Sequence, residues 1–306
     1  MKDRLDPPMP GGSTTLFAPC KVNFYLEVAG KRAEDGYHEL VMVMVPVETG
    51  DDISVSLEGP PGVRITCDHP DVPTDERNLV HKAVREFEKA RGNPTVTLGV
   101  SISIRKRAPV AGGVGGGSSD AASVLAAINE LAGRPLQDIQ LHEAALSVGA
   151  DVPFFLDPGP ALVEGIGDEL TPIEGMPAIP LLLVNPAKPL GTADVYRSLG
   201  LQPEPRPAIL ARKDRKRIGN MVRGMSTDPA AWLRNDLERA SIPLLPEIGE
   251  IKTALTAAGA RAALMSGSGP TVFGLFDTDA AVRAASGKLR KEHPGWLLYP
   301  TRTQPS

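Results

Sequence analysis

The 306-residue sequence is poor in cysteine and has no long apolar run. Its two cysteines, Cys20 and Cys67, are too few for a disulfide framework and indicate a reducing, cytoplasmic compartment. No apolar stretch approaches the length of a membrane span, and the N-terminus lacks the apolar core of a signal peptide. The formal net charge of −4 argues against general nucleic-acid binding. These absences predict a cytoplasmic protein with neither membrane nor nucleic-acid partners.

Several catalytic signatures are missing as well. A Walker A loop ends in Gly-Lys-Ser/Thr, but no lysine follows the glycines of residues 109–119. The dinucleotide fingerprint G-x-G-x-x-G fails because Ser118 stands at the third glycine position, and the glycine loop of protein kinases fails with it. The five histidines show no zinc-ligand spacing with the cysteines, and no G-x-S-x-G elbow occurs. These gaps argue against the enzyme classes that depend on those signatures.

Glycine is concentrated in one stretch of the chain. The stretch consists of Pro109, Val110, Ala111, Gly112, Gly113, Val114, Gly115, Gly116, Gly117, Ser118 and Ser119. Its glycines allow the backbone to turn sharply and to approach a ligand closely. Ser118, Ser119 and Asp120 are expected to cap a helix over 121–131 that ends near Gly133. Because unpaired N–H groups before a helix bind anions, the pattern predicts a polyphosphate site; a plain flexible hinge is the alternative.

Alternating and periodic apolar residues predict further elements in both halves of the chain. In the first half these are a hairpin of strands over 41–47 and 53–57 around a turn at 50–52, a helix over 80–90, a strand over 96–104 and a helix over 138–148. In the second half they are a strand over 181–184, a helix over 247–258, and strands over 262–265 and 271–276 joined by a turn at 266–270. This mixture predicts an α+β protein with a ferredoxin-like arrangement near the C-terminus.

Shifts in composition divide the chain. Residues 1–15 are rich in proline and glycine and predict a flexible leader. A proline-rich joint at 172–180 separates two predicted domains, 16–172 and 173–306. The basic run at 212–217 is interpreted as a solvated surface, with a phosphate-steering patch as the alternative.

Three blocks taken together resemble the signature motifs of the GHMP kinase superfamily. They are Ala18-Pro19-Cys20-Lys21-Val22-Asn23 continuing to Gly36-Tyr37-His38-Glu39-Leu40, the glycine stretch, and Met265-Ser266-Gly267-Ser268-Gly269-Pro270-Thr271-Val272-Phe273. The first block, together with Gly149-Ala150-Asp151-Val152-Pro153, resembles the branch that phosphorylates a cytidine diphosphate-linked methylerythritol. The resemblance implies an α+β, two-domain GHMP kinase fold with an N-terminal ribosomal-protein-S5-like α/β domain and a C-terminal ferredoxin-like domain.

The same resemblance implies the reaction. The γ-phosphoryl group of ATP is expected to pass to the 2-hydroxyl of 4-diphosphocytidyl-2-C-methyl-D-erythritol, a step of the non-mevalonate isoprenoid pathway. Mg²⁺ is expected because ATP reacts as its metal complex, but no residue is assigned as a metal ligand. The protein is expected to be a monomer or a weak homodimer.

The resemblance also assigns catalytic roles. Asp151 matches the aspartate expected to take the proton of the attacking hydroxyl; a cap for a turn over 152–155 is its alternative. Lys21 matches the catalytic lysine, whose ammonium offsets charge in the transition state; a surface charge is its alternative.

Binding roles follow from the resemblance in the same way. For the cytidine end, Tyr37, His38 and Tyr196 match residues that stack on and hydrogen-bond to cytosine. Asn23 and Thr192 match polar contacts to the substrate. For ATP, the backbone of the glycine stretch would hold the phosphates, while Asn78 and Lys106 match positions near the adenosine. Packing alone is the alternative for each tyrosine.

Four features depart from the family pattern. Cys20 replaces the usual alanine, and Asp120 replaces a common asparagine and places a carboxylate near the phosphate loop. The segment over 33–36 is one residue longer than usual, which affects where Tyr37 and His38 lie. The loop over 186–192 is short, which weakens the match of Tyr196.

Three other functions compete with this interpretation. A homoserine or mevalonate kinase of the same superfamily is the first, but its acceptor has no base for Tyr37 and His38 to contact. A non-catalytic nucleotide-binding regulator is the second, and the presence of both Lys21 and Asp151 argues against it. A nicotinamide oxidoreductase is the third, and the failed dinucleotide fingerprint argues against it.

Overall fold

A computed structural model describes residues 12–93, 95–203 and 215–306 of the chain. By their contacts these residues form two compact units. The first unit contains Gly50–Val110, Gly116–Asp157 and the described residues up to Ala18. The second unit contains Pro19–Thr49, Ala111–Gly115 and the described residues from Pro158 to Ser306. Each unit is discontinuous in sequence, whereas the domains predicted over 16–172 and 173–306 are continuous, and their boundary stays a prediction.

The described residues contain strands and helices of mixed order, as expected for an α+β protein. The strands are β1 (Ser13–Lys31), β2 (His38–Leu57), β3 (Gly62–Cys67), β4 (Gly99–Arg105), β5 (Ala161–Gly165), β6 (Glu169–Pro172), β7 (Pro180–Asn185), β8 (Arg234–Asn235), β9 (Ala262–Met265), β10 (Val272–Leu275) and β11 (Leu297–Arg302). The helices are α1 (Leu79–Ala90), α2 (Gly116–Leu131), α3 (Asp138–Val148), α4 (Thr192–Ser198), α5 (Arg215–Thr227), α6 (Glu238–Leu244), α7 (Glu247–Ala257) and α8 (Asp279–Glu292). None of these helices is long and apolar enough to cross a membrane.

In the first unit, helices α1, α2 and α3 pack against one another, and α1 also contacts β3. The C-terminal part of β2 pairs antiparallel with β4, where Ile53 lies opposite Ile104, and β4 pairs parallel with β3. Ile53, Val55 and Leu57 are buried and alternate with less buried polar residues, the period expected of a strand with one face in a core. The helices over 80–90 and 138–148 are confirmed as α1 and α3.

The second unit contains a four-stranded antiparallel sheet of order β11-β7-β10-β9. Strand β7 is buried along its whole length, which explains its continuous run of leucine and valine. Helices α7 and α8 pack against this sheet. The predicted order of helix, strand, glycine turn and strand is confirmed by α7, β9 and β10. In the same unit the N-terminal part of β2 pairs with β5, and β5 pairs with β6.

The predicted hairpin around residues 50–52 is wrong, because β2 continues through them as one strand. Gly50 and Asp51 are buried rather than exposed at a turn. The Asp51 carboxylate accepts hydrogen bonds from the backbone N–H groups of Arg107 and Ala108, so its polar atoms are satisfied inside the fold. A Gly-Asp-Asp triplet is typical of a turn only where solvent or the turn itself supplies such partners.

The start of the glycine-loop helix is also corrected. Helix α2 begins at Gly116, so Ser118, Ser119 and Asp120 lie within its first two turns and do not cap it. The predicted end is confirmed, since Gly133 has φ +80° and its N–H bonds to the carbonyl of Glu130.

Two expectations concern segments that the structure describes only in part. Residues Ser13–Thr15, expected in the leader, form the beginning of β1, so the leader was placed too far into the chain. Residues 1–11 of that leader lie outside the described residues. So do residues 212–214 of the basic run, and the side chains of 215–217 are not described either.

Candidate functional site

In the second unit, the side chain of Lys21 is buried within β1. It is 4% exposed, and its Nζ donates a hydrogen bond to Oδ1 of Asn23 at 2.6 Å. Lys21 and Asn23 share one side of the strand because they are two residues apart. The Lys21 backbone N–H also donates to the carbonyl of Val114 in the glycine stretch, at 2.9 Å. This burial excludes the interpretation of Lys21 as a surface charge.

The turn between β9 and β10 contacts the same group. The backbone N–H of Asn23 donates to Oγ of Ser266 at 3.4 Å, and that hydroxyl donates to the carbonyl of Gly113 at 3.1 Å. Gly267 lies so close to Lys21 that a Cβ on it would stand 3.5 Å from Nζ. The first and third sequence blocks and part of the glycine stretch therefore meet around the Lys21 ammonium.

Glycine is required in the loop where its backbone meets this turn. Gly113 has φ +72°, and a Cβ placed on it would lie 2.5 Å from the carbonyl oxygen of Ser266. Both conditions exclude a larger residue. Gly115 also has a positive φ, of +73°. The glycines thus serve a sharp turn and a close backbone approach, and the simple hinge does not account for them.

In the first unit, a buried hydroxyl lies in the first turn of α2. The first N–H groups of a helix have no partner within the helix. Ser119 is fully buried in the first turn, and its Oγ has no hydrogen-bond partner among the described residues. Buried polar groups are normally paired, so this site fits an incoming acceptor such as a phosphate oxygen.

A buried charged cluster lies beside the start of α2. Lys106 Nζ forms ion pairs with Asp51 and, at 3.0 Å, with Oδ2 of Asp120. Burial alone would lower the pKa of Lys106, but the carboxylates of Asp120 and Asp51 outweigh it and raise the pKa to about 12. Burial raises the pKa of Asp120 to about 7, with Asp51 adding to the rise and Lys106 opposing it. Lys106, expected near the adenosine, is held between two carboxylates, and a Cβ on Gly116 would lie 3.6 Å from its Nζ.

Asn78, also expected near the adenosine, caps α1. Its Oδ1 accepts a hydrogen bond from the N–H of Val80 at 3.1 Å, and its Nδ2 donates to the carbonyl of Pro73 at 2.7 Å. A structural role therefore explains this side chain. Its contact with a nucleotide stays a prediction.

Of the three residues expected to bind the cytosine base, two have their rings in contact and the third is exposed. In the second unit the rings of His38 and Tyr196 lie 4.7 Å apart at 36°. Tyr37 is not part of this pair and is 59% exposed. Burial lowers the pKa of His38, and the nearby charge of Lys31 lowers it further, which favours the neutral imidazole. A neutral imidazole has one donor and one acceptor nitrogen, as the recognition of a base edge requires.

The loop that precedes this pair is closed by Arg32. Its backbone N–H donates to the carbonyl of Tyr37 at 2.7 Å, and its guanidinium lies 3.3 Å from Asp35 and 3.7 Å from the buried Glu39. The Asp35 side chain accepts a hydrogen bond from the N–H of Tyr37. The longer segment over 33–36 is thus accommodated as a turn that ends at Tyr37.

Two further predicted residues have clear positions within their own units. Thr192, the first residue of α4, shares a 2.8 Å hydrogen bond with Ser268, which places it beside the turn between β9 and β10. Asp151 follows α3 in the first unit. The N-cap position of the short helical turn over 153–155 is Val152, and no side chain caps this turn with a hydrogen bond. The alternative role of Asp151 as a cap is therefore not supported.

Two residues near these groups were not predicted from the sequence. Asp51 was assigned to a turn, and Asn235 was not singled out at all. The amide of Asn235 donates to the carbonyls of both Met265 and Gly267, at 2.8 Å each. Its partners are backbone atoms about thirty residues away in sequence, so no local spacing could have indicated them.

Family models match both halves of the chain. The model described as the GHMP kinases N terminal domain matches residues 78–159, and that described as GHMP kinases C terminal matches residues 206–295. Together they span more than half of the sequence.

Known proteins resemble the chain over almost its whole length. A 4-diphosphocytidyl-2-C-methyl-D-erythritol kinase of Geobacter sulfurreducens is 46% identical over 94% of this chain and 98% of its own length. A protein of the same name from Geobacter sp. strain M21 is 44% identical over the same shares. The crystal structure of a 4-(cytidine 5'-diphospho)-2C-methyl-D-erythritol kinase superposes with a TM-score of 0.76 at 31% identity, covering 96% of this chain and all of that one. A homoserine kinase from Cytophaga hutchinsonii, at 22% identity and a TM-score of 0.72 over 96% of each chain, shares the fold.

Proposed function

The chain belongs to the GHMP kinase family, and we propose that it transfers the γ-phosphoryl group of ATP to the 2-hydroxyl of 4-diphosphocytidyl-2-C-methyl-D-erythritol. The products are the 2-phosphate and ADP, and the step belongs to the non-mevalonate isoprenoid pathway in the cytoplasm. Full-length identity to kinases of that name supports the acceptor. The observation that carries the proposal is the buried Lys21 ammonium, held where the glycine stretch and the turn between β9 and β10 meet.

The catalytic residues in this proposal have separate tasks. An alcohol becomes a good nucleophile as it loses its proton, and the Asp151 carboxylate accepts that proton. The Lys21 ammonium offsets the negative charge that develops around the transferred group. Its burial increases this effect because fewer water molecules screen the charge.

The ATP phosphates are held by the glycine stretch. Unpaired N–H groups at the start of α2 and the buried Ser119 hydroxyl supply donors for phosphate oxygens. Asn78 and Lys106 are proposed to lie near the adenosine, Asn78 by fixing the start of α1 and Lys106 by fixing that of α2. Magnesium supplies charge neutralisation on the phosphates when it is bound with ATP. The described residues include no group of three or more His, Cys, Asp or Glu that could hold a metal ion, so we assign it no protein ligand.

The cytosine of the acceptor is proposed to bind at the ring pair. His38 and Tyr196 present adjacent rings, and the exposed Tyr37 is available to cover the base. The neutral His38 hydrogen-bonds to the polar edge of the base. Asn23 and Thr192 contact the polar part of the substrate. Homoserine and mevalonate have no nucleobase, so these aromatic residues would not strengthen the binding of either compound.

The proposal is tested by measuring ADP release with Mg-ATP and a panel of acceptors. The panel contains the cytidine-linked methylerythritol, homoserine and mevalonate, and it is run with wild-type protein, Asp151→Asn and Asp157→Asn. We expect turnover with the cytidine compound alone. Asp151→Asn should lose about 10²–10⁴-fold in kcat, the usual contribution of a positioned base.

Asp157→Asn is the matched control, because Asp157 is an exposed carboxylate six residues further along the chain. Its turnover should equal that of the wild type. Turnover of homoserine or mevalonate in preference to the cytidine compound would contradict the acceptor assignment. Full turnover by Asp151→Asn would contradict the assignment of the base.

A further inference from the structure

The segment Arg234-Asn235-Asp236-Leu237-Glu238 fastens the second unit's turn between β9 and β10 to strand β1. Residues Arg234 and Asn235 form β8, which pairs parallel with β1 at Tyr25 and Leu26. The Asp236 N–H donates to the carbonyl of Leu26 at 2.9 Å, and its carboxylate accepts from the N–H of Val28 at 3.0 Å. The segment is therefore fixed on the strand that carries Lys21.

Asn235 uses every polar atom of its side chain. It is 7% exposed, its Nδ2 donates to the carbonyls of Met265 and Gly267 at 2.8 Å each, and its Oδ1 accepts from the N–H of Leu237 at 2.9 Å. A primary amide is the neutral side-chain group that offers two N–H donors and an acceptor together. The two carbonyls lie at the beginning of the turn, so one amide fixes the direction in which the turn leaves β9.

Two other side chains of the neighbouring helix support the same turn. Glu238 accepts a hydrogen bond from the N–H of Met265 at 2.9 Å and also contacts Lys252. The Ser241 hydroxyl donates to the carbonyl of Ser268 at 3.2 Å. The turn is thus held at three successive places by residues 235–241.

This turn contacts both Lys21 and the residue that accepts a hydrogen bond from its ammonium. Ser266 accepts the N–H of Asn23, the residue that holds Lys21 Nζ, and donates to Gly113 of the glycine stretch. Gly267, whose carbonyl Asn235 holds, lies against Nζ itself. A shift of the turn would move Gly267, which packs close to Nζ, and Ser266, which bonds to the backbone of Asn23.

We propose that Asn235 is a positioning residue that holds the Lys21 ammonium in place for phosphoryl transfer by fixing the turn between β9 and β10. The inference rests on the proposed function, since it assigns the effect to the step that Lys21 assists. Asn235 acts in this proposal through the backbone of the turn, to which its amide bonds. Because a misplacement of about 1 Å in a catalytic group can cost about 10²-fold in rate, a change at Asn235 should appear in kcat.

The test compares Asn235→Asp with Asn129→Asp. The aspartate has nearly the same shape as asparagine but cannot donate to Met265 and Gly267, and it places oxygen against their carbonyls. Asn129 is the matched control: it is 8% exposed and its amide likewise bonds to backbone, donating to the carbonyl of Leu136 and accepting its N–H. Both variants lose a buried amide, so both should lower Tm.

We expect kcat of Asn235→Asp to fall about 10–100-fold, with KM for ATP and for the acceptor within about twofold of the wild type. Asn129→Asp should keep kcat within about twofold. Equal kcat losses in the two variants would overturn the proposal, because a general loss of stability would then explain both. If Asn235→Asp does not fold, Asn235→Ser replaces it: one hydroxyl can serve only one of the two carbonyls, and a smaller loss of kcat, about 3–10-fold, is expected.

A second readout does not depend on activity. The rate at which acetic anhydride acetylates Lys21, followed by mass spectrometry of the tryptic digest, reports how well the amine is held and covered. The rate should rise several-fold in the folded Asn235 variant and stay unchanged in Asn129→Asp. An unchanged rate would overturn the positioning role even if the wild type proved inactive with the cytidine acceptor, an outcome that would count against the proposed function alone.

Discussion

At the scale of single residues, Asp120 couples stability to pH. Its carboxyl group is buried beside Asp51, and the Lys106 ammonium forms ion pairs with both carboxylates. Its Oδ1 has no hydrogen-bond partner among the described residues. Burial therefore raises its pKa from 3.8 to about 7. Between these values the folded protein holds a proton that the unfolded chain has released.

This linkage predicts how the effect of Asp120→Asn on the free energy of unfolding depends on pH. The stability that the protonated group contributes is fully present below pH 3.8 and is lost as the pH rises to about 7. The variant has no such loss, so its free energy of unfolding relative to the wild type should increase from pH 4 to pH 7 and then level off. Three pKa units at about 1.4 kcal/mol each set an upper limit of about 4 kcal/mol on the increase.

Urea unfolding at several pH values measures this difference. Asp157→Asn, which removes an exposed carboxylate, is measured in parallel as the control. A constant difference for Asp120→Asn over the same range would show that Asp120 is ionised in the folded protein throughout.

Single residues also show why part of the site could be predicted from sequence and part could not. Lys21 and Gly113 lie in contiguous motifs, and the structure brings both motifs together. Asp51 and Asn235 form hydrogen bonds with backbone atoms that are distant in sequence. Because neither residue belongs to a periodic pattern or a local spacing, only the folded chain reveals their partners.

At the scale of elements, the glycine stretch needs glycine for its backbone conformation and close packing more than for flexibility. Gly113 has a positive φ, and a Cβ on it would lie 2.5 Å from the carbonyl oxygen of Ser266. Gly113→Ala should therefore destabilise the protein by at least about 1–2 kcal/mol from the left-handed backbone alone. It should also reduce kcat, because the turn that contacts Lys21 must move away from the added methyl group.

Gly287→Ala is the control for this prediction. Gly287 lies in helix α8, it has no left-handed φ, and a Cβ on it would meet nothing within 4 Å. Alanine should stabilise the helix there by up to about 1 kcal/mol without changing kcat. Thermal unfolding and steady-state kinetics of both variants provide the comparison. Gly113→Ala with wild-type stability and turnover would contradict the close approach described for the loop.

The elements that sequence reasoning placed well are those with an extended apolar pattern. Helix α3 and strand β7 were found nearly residue for residue because each buries a regular set of side chains. The misplaced ones depend on tertiary partners. Strand β2 passes through Gly50 and Asp51 because the segment after β4 supplies hydrogen bonds to the carboxylate. Helix α2 begins among glycines, which have a low helix propensity, because most residues of its first two turns are buried.

At the scale of the whole molecule, the fold does not decide the acceptor. The homoserine kinase described above, which acts on a different acceptor by its name, shares the architecture. Functions on one fold differ through the residues of the site. We propose that the loop closed by Arg32 and the ring pair of His38 and Tyr196 select the acceptor here. The choice of acceptor is therefore the central claim to test.

The most direct measurement is a proton-coupled ³¹P NMR spectrum of the product formed from ATP and 4-diphosphocytidyl-2-C-methyl-D-erythritol. Carbon 2 of the acceptor carries a methyl group and no hydrogen, so a phosphate on its oxygen has no three-bond coupling to a proton. We predict a new phosphomonoester singlet that grows together with the ADP signals. A doublet or triplet would place the phosphate on a secondary or primary hydroxyl, and the absence of any new phosphomonoester would contradict the kinase assignment itself.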